Sequence, residues 1–271
     1  MIIAQHTDLY GVVGYPLCHT MSPIMHNTAF EVTGVNAIYL AFETRDIDGC
    51  LKGIKALGIK GMSITLPYKS SVISLLDEVD GLAKKIGAVN TIVNKGGHLV
   101  GYNTDAIGAL KALEEKIELS GKTCLIIGAG GAARAIGFIL KKNGVEVKVA
   151  NRSTEKGRAL AHSLACPFIH IDQLANTGAD LLIHTTPVGM TPYNYQCVVP
   201  EHILKKGMAV MDIIYNPIET RLLTMARARG CLTINGLGMF IHQGAEQFRL
   251  WTGIEPPISA MKQAVKEALR N

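Results

Sequence analysis

The sequence predicts an α/β fold of two domains. Short runs of β-branched residues alternate with amphipathic stretches of ten or more residues, which is typical of parallel strands joined by helices. A glycine-rich turn follows the run TCLII at residues 123–127, which is apolar from Cys124 onward, and such a run indicates a strand buried on both faces. The length of 271 residues suits two modest domains better than one large one.

The first part of the chain predicts five strands and four helices. Ser22-Pro23 places a capping residue before a proline at the first helical position, and residues 94–97 supply the turn of a hairpin. The predicted strands are 10–14, 37–43, 61–66, 88–93 and 99–102, and the predicted helices are 22–32, 47–57, 70–76 and 106–116.

The rest of the chain predicts six strands and five helices. The strands are 123–127, 146–150, 168–171, 181–185, 209–214 and 232–235, and the helices are 133–142, 154–164, 219–229, 239–252 and 258–270. Because the last two helices follow the final strand of the second domain, we expect them to return to the first. The predicted domains are 1–105 with 239–271, and 106–238.

Composition narrows the functional classes. Lys and Arg number 27 against 22 Asp and Glu, a mild excess of +5 without a long basic run, which argues against nucleic-acid binding but suits a small anionic ligand. Arg134 divides the most apolar stretches, and no secretory signal is visible, so we expect no membrane span and a cytoplasmic location. The six cysteines form no CxxC pair, and His19 and His26 lack ligand spacing, so we expect no metal site.

The glycine-rich turn has the pattern G-x-G-x-x-A, made by Gly128, Gly130 and Ala133. It lies between a strand and a helix, where a dinucleotide-binding fingerprint belongs. Small residues permit a tight turn and a close approach to a pyrophosphate, and the helix N-terminus attracts phosphate. The sequence therefore predicts a Rossmann-type domain, although the same turn without a ligand is the alternative. The expected cofactor contacts are Gly128, Ala129, Gly130, Gly131 and Ala132.

The end of the next strand predicts NADP as the cofactor. Enzymes that bind NAD carry an acidic residue there for the ribose 2′-hydroxyl. This strand instead ends at Asn151-Arg152-Ser153, with Lys156 nearby and no carboxylate. A guanidinium can bind a 2′-phosphate through two hydrogen bonds, whereas an acid would repel it. We expect all four residues to contact the cofactor; the alternative for Arg152 is a solvated surface charge.

Short polar segments at strand ends complete a recognisable order. They are GYPLCHTMSP at 14–23, SITLPYK at 63–69, GAVNT at 87–91, GYNTD at 101–105, TPVGM at 186–190, DIIYNP at 212–217, and GLGM at 236–239 followed by Gln243. Together with the glycine-rich turn and residues 151–153, they resemble the shikimate dehydrogenase family from about residue 9 to residue 248.

The resemblance implies a two-domain enzyme that reversibly reduces 3-dehydroshikimate to shikimate with NADPH in aromatic amino acid biosynthesis. We expect a monomer or homodimer, between which the sequence does not decide. It implies that Lys69 and Asp105 are the catalytic pair. The chemistry is suitable, because hydride delivery to a ketone builds negative charge on its oxygen, and an ammonium group can stabilise that charge and supply the proton. Asp105 can position Lys69; the alternative for Asp105 is a cap for the helix at 106.

The resemblance also assigns substrate and nicotinamide contacts. Thr20 and Ser22 match the hydroxyl pair that holds the substrate carboxylate, and Ile213 and Gly236 match positions beside the nicotinamide. The residues expected around the ring hydroxyls are Thr65, Asn90, Asp105, Tyr215 and Gln243.

The sequence departs from the family pattern at two positions. Thr20 stands where the family commonly has serine, and its added methyl group crowds the carboxylate pocket. Ser63 stands where asparagine is usual, so we expect a contact of that side chain to be lost or made through water. The first departure leaves the preference between shikimate and quinate open.

Three alternatives follow. One is a quinate/shikimate dehydrogenase of broader range. Another is a non-catalytic NADP-binding regulator, against which the presence of both Lys69 and Asp105 argues. The third is another Rossmann enzyme with an added domain, such as a methylenetetrahydrofolate dehydrogenase, which needs a larger aromatic pocket than 6% aromatic residues suggest.

Overall fold

A computed structural model describes residues 3–17, 20–174 and 178–270. The chain divides into two compact units, one of residues 1–107 with 241–271 and one of residues 108–240. The α/β fold is as predicted, and the final helices belong to the same unit as the N-terminal segment. Cys18 and His19 lie outside the described residues.

The first unit is built on a six-stranded mixed sheet in the order β2-β1-β3-β5-β6-β4. Its elements are β1 (Asp8–Gly14), α1 (Ser22–Thr33), β2 (Ala37–Glu43), α2 (Ile47–Ala56), β3 (Gly61–Ile64), β4 (Glu78–Val79), α3 (Gly81–Ile86), β5 (Thr91–Lys95), β6 (His98–Tyr102) and the start of α4 (Asp105–Glu114). β1 lies parallel to both β2 and β3, and β5 and β6 form the antiparallel hairpin that the turn residues predict.

The second unit has a six-stranded parallel sheet. The further elements of the chain are β7 (Thr123–Ile127), α5 (Gly131–Lys142), β8 (Glu146–Asn151), α6 (Thr154–Ser163), β9 (Phe168–His170), β10 (Leu181–His184), β11 (Ala209–Asp212), α7 (Arg221–Ala228), β12 (Leu232–Ile234), α8 (Leu237–Thr252) and α9 (Ile258–Ala268). The order β9-β8-β7-β10-β11-β12 is the doubly wound Rossmann order, which places the ligand crevice at the carboxyl end of the strands where the order reverses.

The core of the second unit lies on both faces of this sheet. Along β7, Cys124 and Ile126 face one apolar cluster, while Leu125 and Ile127 face the other. All four are buried, as the uninterrupted apolar run predicts. The central strand is thereby fixed, and with it the glycine-rich turn that follows.

Two local predictions need correction. Helix α1 begins at Ser22 itself, with Met21 as the capping position and no side-chain cap, so Ser22 is not the N-cap. The short helix α3 was not predicted, because six residues are too few for a clear apolar period. Its ends do carry signals: the Asp80 side chain accepts from the Leu82 backbone N–H at 2.8 Å, and Gly87 ends the helix in a left-handed conformation.

Within the described ranges, no helix combines the length and apolar character needed to cross a bilayer.

Candidate functional site

Lys69 and Asp105 form a close pair in the first unit. Lys69 lies in the turn that follows β3, and Asp105 opens α4. Lys69 Nζ donates to Asp105 Oδ2 at 2.6 Å, and the two side chains are only 17% and 6% exposed. An ion pair on the exposed surface holds its two side chains only weakly in place. A pair that is mostly buried, as here, keeps its two charged groups in a fixed geometry.

The other oxygen of Asp105 is held by Asn90. Asn90 Nδ2 donates to Asp105 Oδ1 at 2.9 Å and to Thr104 Oγ1 at 2.9 Å, which uses both amide hydrogens. Asn90 Oδ1 accepts from the Thr104 backbone N–H at 2.8 Å. The carboxylate of Asp105 is thus oriented from both sides.

Asp105 does not provide the cap of α4. The Ala106 backbone N–H donates to Asn103 Oδ1 at 3.2 Å, so Asn103 takes that part. The alternative interpretation of Asp105 as a helix cap is therefore wrong, and its carboxylate is directed to Lys69 and Asn90. Its place in the first turn of α4 favours the negative charge through the helix dipole.

The other predicted substrate residues of the first unit lie at the start of α1, just after β3 and within α8. Thr20 Oγ1 donates to Ser22 Oγ at 3.2 Å, just before α1, where the helix N-terminus favours an anion. Gln243 Oε1 is 3.5 Å from Asn90 Nδ2, which brings α8 next to the residue that holds Asp105. Thr65 follows β3, four residues before Lys69.

Tyr215, also predicted to contact substrate, lies in the second unit. Its ring stacks on Phe240 with centroids 4.2 Å apart.

The glycine-rich turn of the second unit can hold a dinucleotide. Gly128 has φ +118°, and a Cβ there would lie 2.4 Å from Thr185 Oγ1, so only glycine fits. Gly130 is the capping position of α5 and faces open space, with nothing within 4 Å of where a Cβ would stand. Ala133 is fully buried against the sheet. These are the features that let a pyrophosphate approach the N-terminus of α5.

Arg152 lies just beyond β8, as predicted, and lines a cavity of about 580 Å³ together with Arg221. Of the residues that line this cavity, none is acidic. Arg221 Nη1 also donates to the Tyr195 backbone oxygen at 2.8 Å, which holds it at the cavity. Two guanidinium groups without a carboxylate suit a phosphate group.

The neighbours of Arg152 are fixed locally. Ser153 Oγ accepts from the Lys156 backbone N–H at 3.4 Å and caps α6, and Asn151 Nδ2 donates to the Ser153 backbone oxygen at 2.9 Å.

The two residues predicted to lie beside the nicotinamide, Ile213 and Gly236, are in contact with each other, since a Cβ on Gly236 would lie 2.1 Å from the Ile213 backbone oxygen.

Known proteins resemble the whole chain. The family description "Shikimate dehydrogenase substrate binding domain" matches residues 12–92, "Shikimate / quinate 5-dehydrogenase" matches 110–214, and "Shikimate 5'-dehydrogenase C-terminal domain" matches 236–266. A protein of Thermococcus kodakarensis named shikimate dehydrogenase (NADP(+)) is 45% identical over 268 residues, 97% of each chain. The chain belongs to the shikimate dehydrogenase family. This confirms the resemblance that the ordered segments predict.

Solved members of the shikimate dehydrogenase family share the fold. A shikimate dehydrogenase in complex with NADP+ superposes with a TM-score of 0.95 and 44% identity over 99% of this chain and 98% of that one. The Thermus thermophilus enzyme in complex with NADP(H) and shikimate gives a TM-score of 0.89 and 38% identity, with 96% and 99% covered.

Sequence reasoning missed Gln247, a buried residue of α8 that contacts Asn90, the residue that holds Asp105. It is 2% exposed, and its Nε2 donates to the Asn90 backbone oxygen at 3.2 Å and to Thr91 Oγ1 at 3.0 Å. A signal was available, because Gln247 stands four residues after Gln243 and such positions share a helix face.

Ser63 makes two direct hydrogen bonds despite its short side chain: its Oγ accepts from the Tyr39 hydroxyl at 2.6 Å and donates to Gln247 Oε1 at 3.0 Å. That a contact of the usual asparagine is lost here stays a prediction. The shorter side chain is served by Gln247, which reaches it from α8.

A buried His184–Asp212 pair at the carboxyl ends of β10 and β11 was also missed. His184 Nδ1 lies 3.1 Å from Asp212 Oδ1, and Thr220 Oγ1 donates to Asp212 Oδ2 at 2.7 Å. The pair ties the end of β10, which precedes the TPVGM segment, to the end of β11, whose last residue opens the DIIYNP segment. In the part of the chain that the structure describes, no cluster of three potential ligands could hold a metal ion.

Proposed function

We propose that this chain catalyses the reversible reduction of 3-dehydroshikimate to shikimate with NADPH, and that Lys69 and Asp105 are its catalytic pair. The observation that carries the proposal is the 2.6 Å contact between Lys69 Nζ and Asp105 Oδ2. It lies in the unit that contains the region matching a shikimate dehydrogenase substrate binding domain. We also propose that residues 1–105 with 239–271 are the substrate domain and 106–238 the cofactor domain.

Lys69 is the proton donor in this proposal. NADPH, when bound, supplies the hydride. Lys69 donates a proton to the carbonyl oxygen as negative charge develops there, and in the oxidative direction the neutral amine accepts the hydroxyl proton. Asp105 holds the ammonium group in place, and Asn90 holds Asp105.

The substrate contacts are proposed from the polar side chains around this pair. Thr20 and Ser22 bind the carboxylate at the start of α1. Thr65, Asp105, Gln243 and Tyr215 contact the ring hydroxyls. Asn90 lines the same site, and its two amide hydrogens already donate to Thr104 and Asp105, so it acts chiefly by holding Asp105.

The cofactor site is proposed to prefer NADP. The pyrophosphate binds the turn at Gly128, Ala129, Gly130, Gly131 and Ala132, and the nicotinamide lies beside Ile213 and Gly236. Arg152, Asn151, Ser153 and Lys156 bind the 2′-phosphate, a role supported by the absence of an acidic residue at the end of β8 and from the residues lining the Arg152 cavity.

A spectrophotometric assay at 340 nm tests the function. Shikimate or quinate is offered as substrate, each with NADP or NAD. The proposal requires that the cofactor be reduced fastest when the substrate is shikimate and the cofactor is NADP. A protein that binds NADP but oxidises neither acid would be the non-catalytic regulator instead.

Quinate is the second candidate substrate, because the matched family description names both acids. Quinate carries one more hydroxyl on the ring carbon that bears the carboxylate, next to the crowding methyl group of Thr20. Thr20→Ser should therefore raise activity on quinate relative to shikimate. An unchanged ratio would show that Thr20 does not set this preference.

Location and assembly are proposed more broadly. The described cysteines are free thiols, which favours a reducing compartment such as the cytoplasm. We propose a monomer or homodimer, which light scattering coupled to size-exclusion chromatography measures directly.

A further inference from the structure

We propose that Gln247 is a positioning residue that sets the orientation of Asp105 through buried hydrogen bonds running by way of Thr91 and Asn90. The inference rests on the proposed function, in which Asp105 holds Lys69. Of these three residues, the sequence predicted only Asn90 as part of the site. Gln247 and Thr91 are both buried, with 2% and 0% of their surface exposed.

The orientation of the Gln247 amide follows from its partners. The backbone oxygen of Asn90 can only accept a hydrogen bond, so the amide nitrogen of Gln247 must face it, at 3.2 Å. The amide oxygen is then directed to the opposite side, where Ser63 Oγ donates to it at 3.0 Å.

His26 fixes the same amide oxygen. His26 Nε2 lies 3.3 Å from Gln247 Oε1, and because that oxygen is an acceptor, Nε2 must carry the proton. His26 is fully buried, and its burial lowers its pKa to about 3, so the ring is neutral. Gln247 is therefore held on its oxygen by two donors and on its nitrogen by two acceptors.

Thr91 transmits this order to Asn90. Its hydroxyl accepts from Gln247 Nε2 at 3.0 Å, so its single hydrogen is available for Asn90 Oδ1 at 2.8 Å. The carbonyl of the Asn90 side chain is thereby fixed, and its amide group must point the other way, to Asp105 Oδ1 at 2.9 Å. Each bond from α8 to Asp105 has one allowed direction.

The consequence concerns the catalytic pair. With Asp105 Oδ1 engaged by Asn90, Oδ2 is the oxygen presented to Lys69. Removing the Thr91 hydroxyl would take away one of the two donors that hold Asn90 Oδ1 and leave the Thr104 backbone N–H as the other, so the Asn90 amide would hold Asp105 Oδ1 less firmly. Small displacements of catalytic groups are costly to rate, up to about a hundredfold for 1 Å.

The test compares Thr91→Val with Thr91→Ser. Valine keeps the branched shape of threonine and removes the hydroxyl, whereas serine keeps the hydroxyl. We expect Thr91→Val to lower kcat about 10–100-fold, with KM for shikimate and NADP changed less than about threefold, and to shift the pH profile of kcat. Thr91→Ser should recover most of that loss.

Gln247→Met is the second variant, in case Thr91→Val fails to fold, and it should lower kcat in the same way. The matched control is Thr252→Val, on the same helix, where the hydroxyl donates to the Phe248 backbone oxygen at 2.8 Å and accepts from the Ile254 backbone N–H at 3.1 Å. It should leave kcat and its pH profile unchanged.

Two outcomes overturn the inference in distinguishable ways. If the wild-type enzyme is active and Lys69→Ala is not, while Thr91→Val and Gln247→Met lose only thermal stability and keep kcat and its pH profile, then the chain of bonds is merely structural. If the wild-type protein oxidises neither acid, the proposed function fails and the inference fails with it.

Discussion

At the scale of single residues, the central feature of the first unit is the hydrogen bonding of Asp105. In the first unit, a buried carboxylate is held on one oxygen by Lys69 and on the other by Asn90. A buried ion pair is not a strong source of stability, since the cost of removing water offsets the attraction. An ammonium group held at a fixed position is what the proposed role of Lys69 requires.

Lys69→Ala tests that explanation. We expect turnover to fall by about 10²–10⁴-fold with little change in KM, because the lost group acts on the charge that develops during the reaction. Steady-state kinetics in both directions measure this. Lys84→Ala removes an exposed lysine and serves as the control. A large rise in KM with normal turnover would contradict the proposed role.

In the second unit, Arg152→Ala should weaken the binding of NADPH far more than the binding of NADH. Charge-assisted hydrogen bonds to phosphate are worth about 1.5–3 kcal/mol, or roughly 10–150-fold in affinity. Isothermal titration calorimetry with both cofactors measures the difference. Arg158→Ala, an exposed arginine of α6, is the control. Equal weakening of the two cofactors would mean that Arg152 does not contact the 2′-phosphate.

At the scale of elements, the sequence was most informative where burial is complete. The strand at β7 is predicted to the residue, because both of its faces are apolar. The strand predicted at 88–93 begins only at Thr91, and α3 was missed. Short elements carry too few residues for a period, and their identity depends on caps and tertiary hydrogen bonds instead.

The candidate site shows the same division. Lys69, Asp105 and the glycine-rich turn stand in ordered segments that the sequence displays. The contacts of Gln247 and the pairing of His184 with Asp212 are not displayed in this way, because the partners are distant in sequence and meet only in the folded chain. Local patterns cannot reveal such contacts, although the spacing of Gln243 and Gln247 gave one indication.

The contact between α1 and α8 predicts an acid-sensitive stability. His26 on α1 is buried, which lowers its pKa from 6.5 to about 3. The unfolded chain therefore binds a proton between these values while the folded chain does not, so stability is fully present above pH 6.5 and is lost as the pH falls toward 3. The contribution approaches about 1.4 kcal/mol per pH unit.

Urea unfolding at pH 7, 6 and 5 measures this slope. His26→Asn should be less stable at pH 7 but should lose less stability on acidification than the wild type. His98→Gln removes an exposed histidine as the control. If His26→Asn and the wild type lost stability equally with falling pH, burial of His26 would not be the cause.

At the scale of the whole molecule, the first unit is discontinuous in sequence. Residues 241–271 complete it: Phe248 is fully buried, and Trp251 Nε1 donates to the Ile92 backbone oxygen at 2.9 Å. The Trp251 ring also lies 5.2 Å from that of Tyr10 on β1. The second unit is one continuous stretch with its own core.

A chain ending at residue 240 should therefore keep the second unit and lose the first. We expect NADP binding within about tenfold of the full chain and no measurable oxidation of shikimate, since burial of large apolar side chains such as Phe248 is worth several kcal/mol. Calorimetry and the 340 nm assay measure the two properties. A chain ending at residue 269, just past α9, is the control. Retained activity in the shorter chain would show that the first unit does not need its closing helices.

The closing position of α8 also has a consequence for synthesis on the ribosome. The nascent chain exposes Lys69 and Asp105 early, but Gln247 emerges only after the whole second unit has been translated. At a synthesis rate of about 5–20 residues per second, several seconds or more pass between the synthesis of Asp105 and that of the last residues of the first unit. The cofactor-binding unit can fold during that interval, and the first unit is complete only after residues 241–271 have been translated.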